Sequence, residues 1–264
     1  MKIRPCLALL LCAASLSAQA PATPTQANFK ESSMEARFQI DLKVPDEVIK
    51  PYLPEGFTSL VAKQGPAKDC NVRLIFVDRI TVNGPDGKPV GAGNSRQVFL
   101  AAPVKDAAGA NAQLILGGLT DEAADAPGPF GNYLLATTHE MKRTTSTTAS
   151  GTLMDTQDWI FEAKSGEHLE MHISYERGSG NRSGHPQDVK FYSDKTRYAE
   201  LSHQEQVLEI LRNTTTNPPD KVKSFSLKIS GGSFAKFAPA VEQPLSWDNI
   251  VWLNRQITTA STGE

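Results

Sequence analysis

The chain has 264 residues, with 27 Lys and Arg against 29 Asp and Glu and a formal net charge of −2 at pH 7. Because the composition has no basic surplus, it argues against nucleic-acid binding. The length suffices for one large β domain or two small ones.

The first 22 residues have the layout of a secretory signal peptide. Lys2 and Arg4 precede an apolar run over residues 6–16, and small residues follow, with cleavage expected after Ala20 or Ala22. The apolar run is shorter than the ~20 residues of a membrane-spanning helix. We therefore expect a periplasmic or secreted protein without a membrane span.

After the signal peptide, residues 23–34 are predicted to be a flexible leader and residues 35–264 a single domain. Apolar and polar residues alternate over 38–44, which predicts a strand, and Pro45 and Asp46 then open a short helix. The mature chain keeps Cys70 as its one cysteine, so no internal disulfide is expected. Further strands are predicted, in chain order, at 59–62, 72–82, 95–104, 113–119, 155–164, 167–176 and 224–230.

Two segments depart from this series of short strands. Residues 202–213 predict a helix, because Ser202 and Glu205 form a capping box before an apolar run. Residues 120–132 form a long acidic segment rich in Pro and Gly, which is typical of a functional or mobile loop and suggests a lid over a cavity. The segment 247–258 fits either a helix or a strand. The pattern as a whole indicates one β-rich domain, a sheet or a barrel.

The strand at 95–104 carries two polar side chains among apolar neighbours. Arg96 lies on one face and Gln97 on the other, and both faces are otherwise largely apolar. A strand that is apolar on both faces is buried on both, so these two side chains need polar partners or a polar cavity. Arg96 and Gln97 are therefore candidate site residues.

The histidines are not predicted to bind a metal ion, and the cysteine is not predicted to be a nucleophile. His168, Glu170 and His172 alternate with apolar residues, which indicates a solvated strand face. On a strand, residues four apart are about 13 Å apart at ~3.3 Å per residue, too far to share a zinc ion with ~2 Å bonds. Cys70 has no obvious partner base and is not predicted to be a nucleophile.

Five segments in order resemble the acetoacetate decarboxylase superfamily: FQIDLKVPDEVIKPYLPEGFTSL, NVRLIFVDRI, SRQVFLAAPV, GNYLLAT and SGTLM. Their order and spacing cover the chain from residue 38 to about 229. The resemblance implies a closed or nearly closed β-barrel around a largely apolar cavity. With the strand pattern, we expect a mainly β fold, a single closed or nearly closed antiparallel barrel or double sheet with a few short peripheral helices.

The resemblance also implies where a catalytic centre would lie. Members of that family use a lysine, held neutral by its surroundings, to form an imine with a β-keto acid. Counting back from SGTLM puts this lysine near Leu134 or Leu135, next to Tyr133, and leucine cannot form an imine. The family's glutamate, six residues before Pro103, corresponds to Gln97, which can hydrogen-bond a carbonyl group but cannot transfer a proton.

These departures favour a secreted barrel that binds a small organic acid or carbonyl compound without imine chemistry and without a cofactor. Arg96 would pair with a carboxylate or form a structural ion pair with an acid on a neighbouring strand. Gln97 would hold a carbonyl oxygen and Tyr133 would supply a hydroxyl, with Leu134 and Leu135 as further ligand contacts.

Two other functions stay open from the sequence. One is a lyase or decarboxylase acting on a keto acid through Lys142, the nearest lysine under a shifted alignment, or through a non-covalent oxyanion-type site. The other is a non-catalytic structural protein of the cell envelope. The sequence leaves homo-oligomer formation open.

Overall fold

The computed structural model describes residues 29–182, 186–211 and 221–260, so the predicted signal peptide lies outside the described residues. Two short α-helices, α1 (Asp46–Ile49) and α2 (Ala238–Val241), accompany 3-10 turns at Lys50–Tyr52, Ala123–Asp125 and Gly232–Phe237. The strands are β1 (Phe29–Leu42), β2 (Thr58–Ser59), β3 (Val72–Asn83), β4 (Ser95–Lys105), β5 (Asn111–Thr120), β6 (Tyr133–Thr147), β7 (Leu153–Ala163), β8 (His168–Glu176), β9 (Asn181–Arg182), β10 (Gln187–Ser193), β11 (Ala199–Leu211), β12 (Val222–Ser230) and β13 (Ser246–Thr259).

Seven of these strands close into a barrel in the order β1-β3-β4-β5-β10-β11-β13, with β13 pairing back to β1. The neighbours are antiparallel except β5 and β10, which run parallel. Strands β6, β7, β8 and β12 form a second sheet that continues from the barrel through a parallel pairing of β5 with β6. The mainly β, closed-barrel prediction is confirmed, and the second sheet adds a layer to it.

The main hydrophobic core lies between the barrel wall and the second sheet. Alternate residues of β1, β3, β4 and β5, such as Phe38 and Phe76, belong to this core together with Trp159 and Phe161 of β7. The rings of Phe76 and Trp159 lie 5.5 Å apart. The intervening residues of the same strands point into the barrel and include a smaller apolar cluster around Phe99. The two-residue period of each strand thus separates a packed outer face from an inner one.

The prediction of a helix at 202–213 is wrong for residues 202–211, the part that the structure describes, because these residues lie in strand β11. Ser202 pairs with Val189 of β10 on one side and with Ile257 of β13 on the other. The two residues of the supposed capping box have other partners, since Ser202 accepts a hydrogen bond from Gln204 and Glu205 forms an ion pair with Arg182. Ladder hydrogen bonds on both edges outweigh the local helix signal.

Two further segments are also strands. Residues 247–258, which fitted either a helix or a strand, lie in β13. β1 already begins at Phe29, so residues 29–34 are paired with β13 and are not part of a flexible leader. None of the helices in the described ranges has the length and apolar character of a membrane span.

Candidate functional site

A cavity of about 330 Å³ occupies one end of the barrel interior. One wall is apolar and includes Val77, Phe99, Ile115 and Phe191. The rest of the lining is largely ionic, because inward positions of β1, β3, β11 and β13 carry charged side chains. A cavity with one apolar and one polar wall is typical of a small-molecule site.

Glu35 is the most enclosed charge in this cavity, with no solvent exposure. Its carboxylate accepts hydrogen bonds from Ser33 Oγ at 2.6 Å and from Arg37 Nε at 2.7 Å. Arg255 Nη2 lies 2.9 Å and Arg79 Nε 3.8 Å from Oε1, the oxygen that also accepts from Ser33, while Arg37 donates to Oε2. Burial alone would raise the pKa of Glu35, but the guanidinium groups of Arg255, Arg37 and Arg79 outweigh burial and hold it well below its usual range. Glu35 is therefore an anion at neutral pH.

The loop 120–132 is tied to the mouth of the cavity through Asp125. Its carboxylate accepts hydrogen bonds from Arg79 Nη1 at 3.0 Å and from Gln97 Nε2 at 2.7 Å. Phe130 of the same loop also lines the cavity. One amide hydrogen of Gln97 is thereby engaged, and its other hydrogen and its oxygen remain available to a ligand.

Glu200 is the second buried carboxyl group of the cavity and behaves differently from Glu35. It accepts a hydrogen bond from Tyr198 Oη at 3.2 Å, and Arg255 Nη1 lies 3.8 Å away. Burial raises the pKa of Glu200, and the attraction of Arg255 only partly offsets this. The same cavity thus holds one carboxyl group that stays ionised and one that is easier to protonate, a pairing typical of acid–base sites.

Tyr133 places a phenol beside these charges. Its ring lies between Phe99 and Phe130, 6.3 Å from each ring centre. Gly118 makes room for it, because a Cβ at Gly118 would lie 2.8 Å from a carbon of the Tyr133 ring. Burial, together with the charge of Glu200, raises the pKa of Tyr133. The hydroxyl therefore keeps its proton, and it has no hydrogen-bond partner among the described residues, so it can donate to a ligand.

Of the predicted site residues, the structure brings Gln97 and Tyr133 together in the cavity. Arg96 lies outside it, with its side chain 39% exposed and its Nε 3.8 Å from Asp78 of the neighbouring β3. This is the structural ion pair considered from the sequence. Arg96 points away from the barrel interior because it is one residue out of phase with Gln97.

The positions expected near a family lysine also lie outside the cavity. Leu134 packs against the main core, and Leu135 is 45% exposed. Lys142 is exposed on β6, opposite Asp158 of β7. Among the described residues that line the cavity, the one lysine is Lys30, which is exposed at the start of β1. In the described chain, no buried lysine is therefore in place for imine formation.

The sequence reasoning missed the ionic residues Glu35, Arg37, Arg79, Glu200 and Arg255. A signal was present in β1, where Glu35 and Arg37 alternate with apolar residues. That alternation is equally consistent with a solvent-exposed face. Only closure of the barrel turns these positions inward.

The histidine-rich strand is a surface feature, in line with the sequence prediction of a solvated strand face. His172 Nδ1 lies 2.6 Å from Asp158, and its Nε2 lies 3.3 Å from Ser224 Oγ. The side chains of Asp158, His172 and Ser224 thus form a carboxylate–imidazole–hydroxyl row on the outer face of the second sheet, outside the cavity described above. Within the described ranges, no group of three or more His, Cys, Asp or Glu is arranged to hold a metal ion.

Cys70 is buried, and its thiol lies 3.3 Å from the carbonyl oxygen of Val72. Burial, reinforced by Asp41, raises the pKa of Cys70 to about 12. A thiol with this pKa is almost entirely protonated at neutral pH and is therefore a poor nucleophile.

The structure is therefore a closed barrel whose interior holds a cavity lined by both polar and apolar side chains. No family model and no curated protein sequence matches the chain. Solved structures do match it. The enduracididine biosynthesis enzyme MppR, complexed with the condensation product of pyruvate and imidazole 4-carboxaldehyde, is 11% identical over 89% of this chain and 90% of its own, with a TM-score of 0.54.

A second match is an acetoacetate decarboxylase-like enzyme from Sphingomonas wittichii RW1. It is 10% identical over 88% of this chain and 92% of its own, with a TM-score of 0.56. The chain therefore has the acetoacetate decarboxylase-like fold. The likeness extends over nearly the whole of both chains, which agrees with the resemblance noted in the sequence.

Proposed function

We propose that the barrel cavity binds a small organic acid or carbonyl compound non-covalently. The observation that carries the proposal is the hydroxyl of Tyr133, a residue that lines the cavity together with apolar and ionic side chains and whose hydroxyl has no hydrogen-bond partner among the described residues. A phenol hydroxyl that lines a cavity and has no protein acceptor is free to donate a hydrogen bond to a ligand. A carbonyl oxygen is a suitable acceptor.

The two walls suit different parts of such a ligand. Phe99 and Phe191 offer apolar contact to a short alkyl or aromatic group. Tyr133 and the remaining amide hydrogen of Gln97 can both donate to one carbonyl oxygen. The guanidinium groups of the cavity already have carboxylate partners, so a ligand with at most one negative charge fits best.

Two further observations support the proposal. MppR, which shares the fold, was solved with the condensation product of pyruvate and imidazole 4-carboxaldehyde. Both precursors of that product are carbonyl compounds. The barrel interior also contains a cavity and is not filled by apolar side chains, which gives no support to a purely structural role.

The test combines binding and trapping with pyruvate and acetoacetate as probes. Isothermal titration calorimetry should show saturable binding to the wild-type protein, and borohydride treatment followed by intact-mass measurement should show no reduced adduct. Tyr133→Phe should weaken binding by roughly threefold to tenfold, the effect of one hydrogen bond. Lys142→Ala should not change it.

An adduct mapped to Lys30 or Lys142 by peptide mass spectrometry would show imine chemistry and overturn the non-covalent proposal. Failure of both probes to bind, with no competition by other short keto acids, aldehydes or ketones, would overturn the ligand class.

A second candidate function is catalysis of proton transfer at the carbon next to the ligand's carbonyl group, and Glu200 favours it. An ionised Glu200 would take that proton, while Tyr133 donates a hydrogen bond to the oxygen of the resulting enolate. The raised pKa of Glu200 makes its carboxylate a stronger base than an ordinary one. The measurement is deuterium incorporation into the pyruvate methyl group in D₂O by NMR. Glu200→Gln should abolish any catalysed exchange. If the wild-type protein catalyses no exchange, the proton-transfer function is excluded and only the binding function remains.

Export through the predicted signal peptide at 1–22 is a separate proposal that rests on the sequence. Its support is the order of a basic start, a short apolar run and small residues. Mass spectrometry of the exported protein should find an N-terminus at Pro21 or Thr23. Recovery of the full-length chain from the cytoplasm alone would contradict it.

A further inference from the structure

We propose that the opposite end of the barrel interior is a second binding site, for a neutral polyhydroxylated ligand such as a monosaccharide or polyol. A cavity of about 390 Å³ lies there. Along β1, the first cavity uses residues from Lys30 to Arg37, and the second uses Arg37 and Gln39. Arg37 and Phe191 line both cavities, so the two sites share a boundary within one barrel. This second site does not depend on the function proposed for the first.

The second cavity is rich in side-chain amides. A primary amide both donates and accepts hydrogen bonds, as a hydroxyl group does, so a cluster of amides is complementary to a ligand with several hydroxyls. The amide side chains that line it are Asn111, Gln39, Gln113, Gln187, Gln204 and Gln206.

The charges of the second cavity balance. Arg37 and Arg73 are matched by Asp188 and Asp248 in the lining. Arg37 is also held by Glu35 at 2.6 Å, and Arg73 Nε lies 3.5 Å from Asp41. The lining thus carries two positive and two negative formal charges, and its two cations already have carboxylate partners, which disfavours a strongly anionic ligand and favours a neutral one.

The hydrogen-bond groups are partly held in place and partly unused. Gln39 Nε2 donates to Asp41 at 3.1 Å and to Asp248 at 3.3 Å, which fixes its amide at the cavity wall. Gln113 Oε1 is buried and accepts no hydrogen bond from the described residues. A buried acceptor of this kind is costly unless a water or a ligand donates to it. A ligand hydroxyl would satisfy it.

The cavity also has an apolar side, formed by Ile75, Phe191 and Ile250. Sugars present ring C–H groups as well as hydroxyls, so they match a wall of this kind beside a wall of amides. A short monocarboxylic acid would leave most of the amides without a ligand partner. The combination of amides, balanced charge and an apolar wall is what selects a polyhydroxylated ligand.

The test is a panel of D-glucose, D-galactose, N-acetyl-D-glucosamine, D-ribose and myo-inositol, examined by saturation-transfer NMR and titration calorimetry on the full protein. At least one should bind saturably. Gln113→Leu should weaken that binding about tenfold, and Gln204→Leu is a second variant in case the first fails to fold. Gln97→Leu, in the first cavity, is the matched control and should leave sugar affinity unchanged.

Pyruvate should not displace the bound sugar, since the two ligands occupy different ends of the barrel. No saturable binding by any member of the panel would overturn the proposal, and so would binding that both Gln113→Leu and Gln204→Leu leave intact or that pyruvate abolishes. Failure of pyruvate to bind, with sugar binding intact, would count only against the function proposed for the first cavity.

Discussion

Single residues of the first cavity depend on one another through their charges. Three guanidinium groups surround Glu35, so the folded protein keeps an anion where burial alone would not. Buried ions of this kind contribute less net stability than their short distances suggest, because desolvation opposes the attraction. Removing one charged residue of this cluster nevertheless lowers the stability of the fold, because its partners then remain buried without an opposite charge.

We expect Glu35→Gln to lower the free energy of unfolding by about 3–5 kcal/mol at pH 7, the usual effect of removing one partner of a buried ion pair. Because the pKa of Glu35 in the folded state lies below its ordinary value of 4.5, the stabilisation by its charge is complete above about pH 4.5. It is lost as the pH falls towards the lowered pKa. Urea unfolding at several pH values between 3 and 7 measures the difference.

Glu31→Gln is the control for this variant, because Glu31 contacts Arg79 and Arg255 but is 18% exposed. It should cost clearly less than Glu35→Gln. An equal effect of the two substitutions, or a Glu35→Gln effect that does not shrink below pH 4.5, would contradict the central role of Glu35.

At the scale of elements, the pairing of β5 with β6 positions the phenol of the cavity. Gly118 of β5 pairs with Tyr133 of β6 in a parallel ladder. The missing side chain at Gly118 lets the ring of Tyr133 lie against the β5 backbone. A glycine in a strand often marks such a close approach.

We expect Gly118→Ala to displace the Tyr133 ring and to reduce pyruvate affinity at least as much as Tyr133→Phe does. The new Cβ would lie 2.8 Å from a ring carbon, so the strand or the ring must move. The cost in stability should be about 1–3 kcal/mol, as for other overpacked sites. Calorimetry and thermal unfolding measure the two effects.

Gly84→Ala is the matched control for this substitution. Its Cβ would meet no atom closer than 3.5 Å, an ordinary van der Waals contact. Neither affinity nor stability should change appreciably. Unchanged pyruvate binding in Gly118→Ala would show that the ring position does not matter for the ligand.

At the scale of the whole molecule, the loop 120–132 joins the barrel to the second sheet and also borders the first cavity. Several hydrogen bonds attach the loop to the barrel, through Asp121, Phe130 and Asn132 among others. The attachment that borders the cavity is Asp125, which contacts Arg79 and Gln97 on two different strands. A loop held mainly by polar contacts can open locally without unfolding the barrel. We infer that this loop controls access to the first cavity.

We expect Asp125→Asn to speed hydrogen–deuterium exchange in the loop and to raise the dissociation rate of a bound keto acid several-fold. The melting temperature should change little, because the loop contributes few residues to the main core. Glu122→Gln is the control, since Glu122 lies in the same loop but does not line the cavity, and its carboxylate accepts hydrogen bonds from the backbone N–H groups of Ala92 and Ala124. Equal exchange and dissociation rates in wild type and Asp125→Asn would rule out a lid.

Strand positions and some site chemistry could be predicted from the sequence. Alternation located β1, β3, β4 and the β7–β8 hairpin, and the order of motifs led to the barrel. Gln97 and Tyr133 were identified through the family resemblance, because Gln97 stands where the family has a glutamate and Tyr133 is next to the position of the family's lysine. Lys142, Leu134 and Leu135 were candidates only by counting along the chain, which does not determine where a side chain points.

The sequence by itself determined that the chain is β-rich, where most strands lie, and that the expected lysine position carries leucine. The tertiary structure alone decided that residues 202–211 are a strand and that Glu35, Arg79 and Arg255 meet in one cavity. The reason is physical. A two-residue period defines two faces of a strand, but only pairing with distant strands and closure of the barrel decide which face is enclosed.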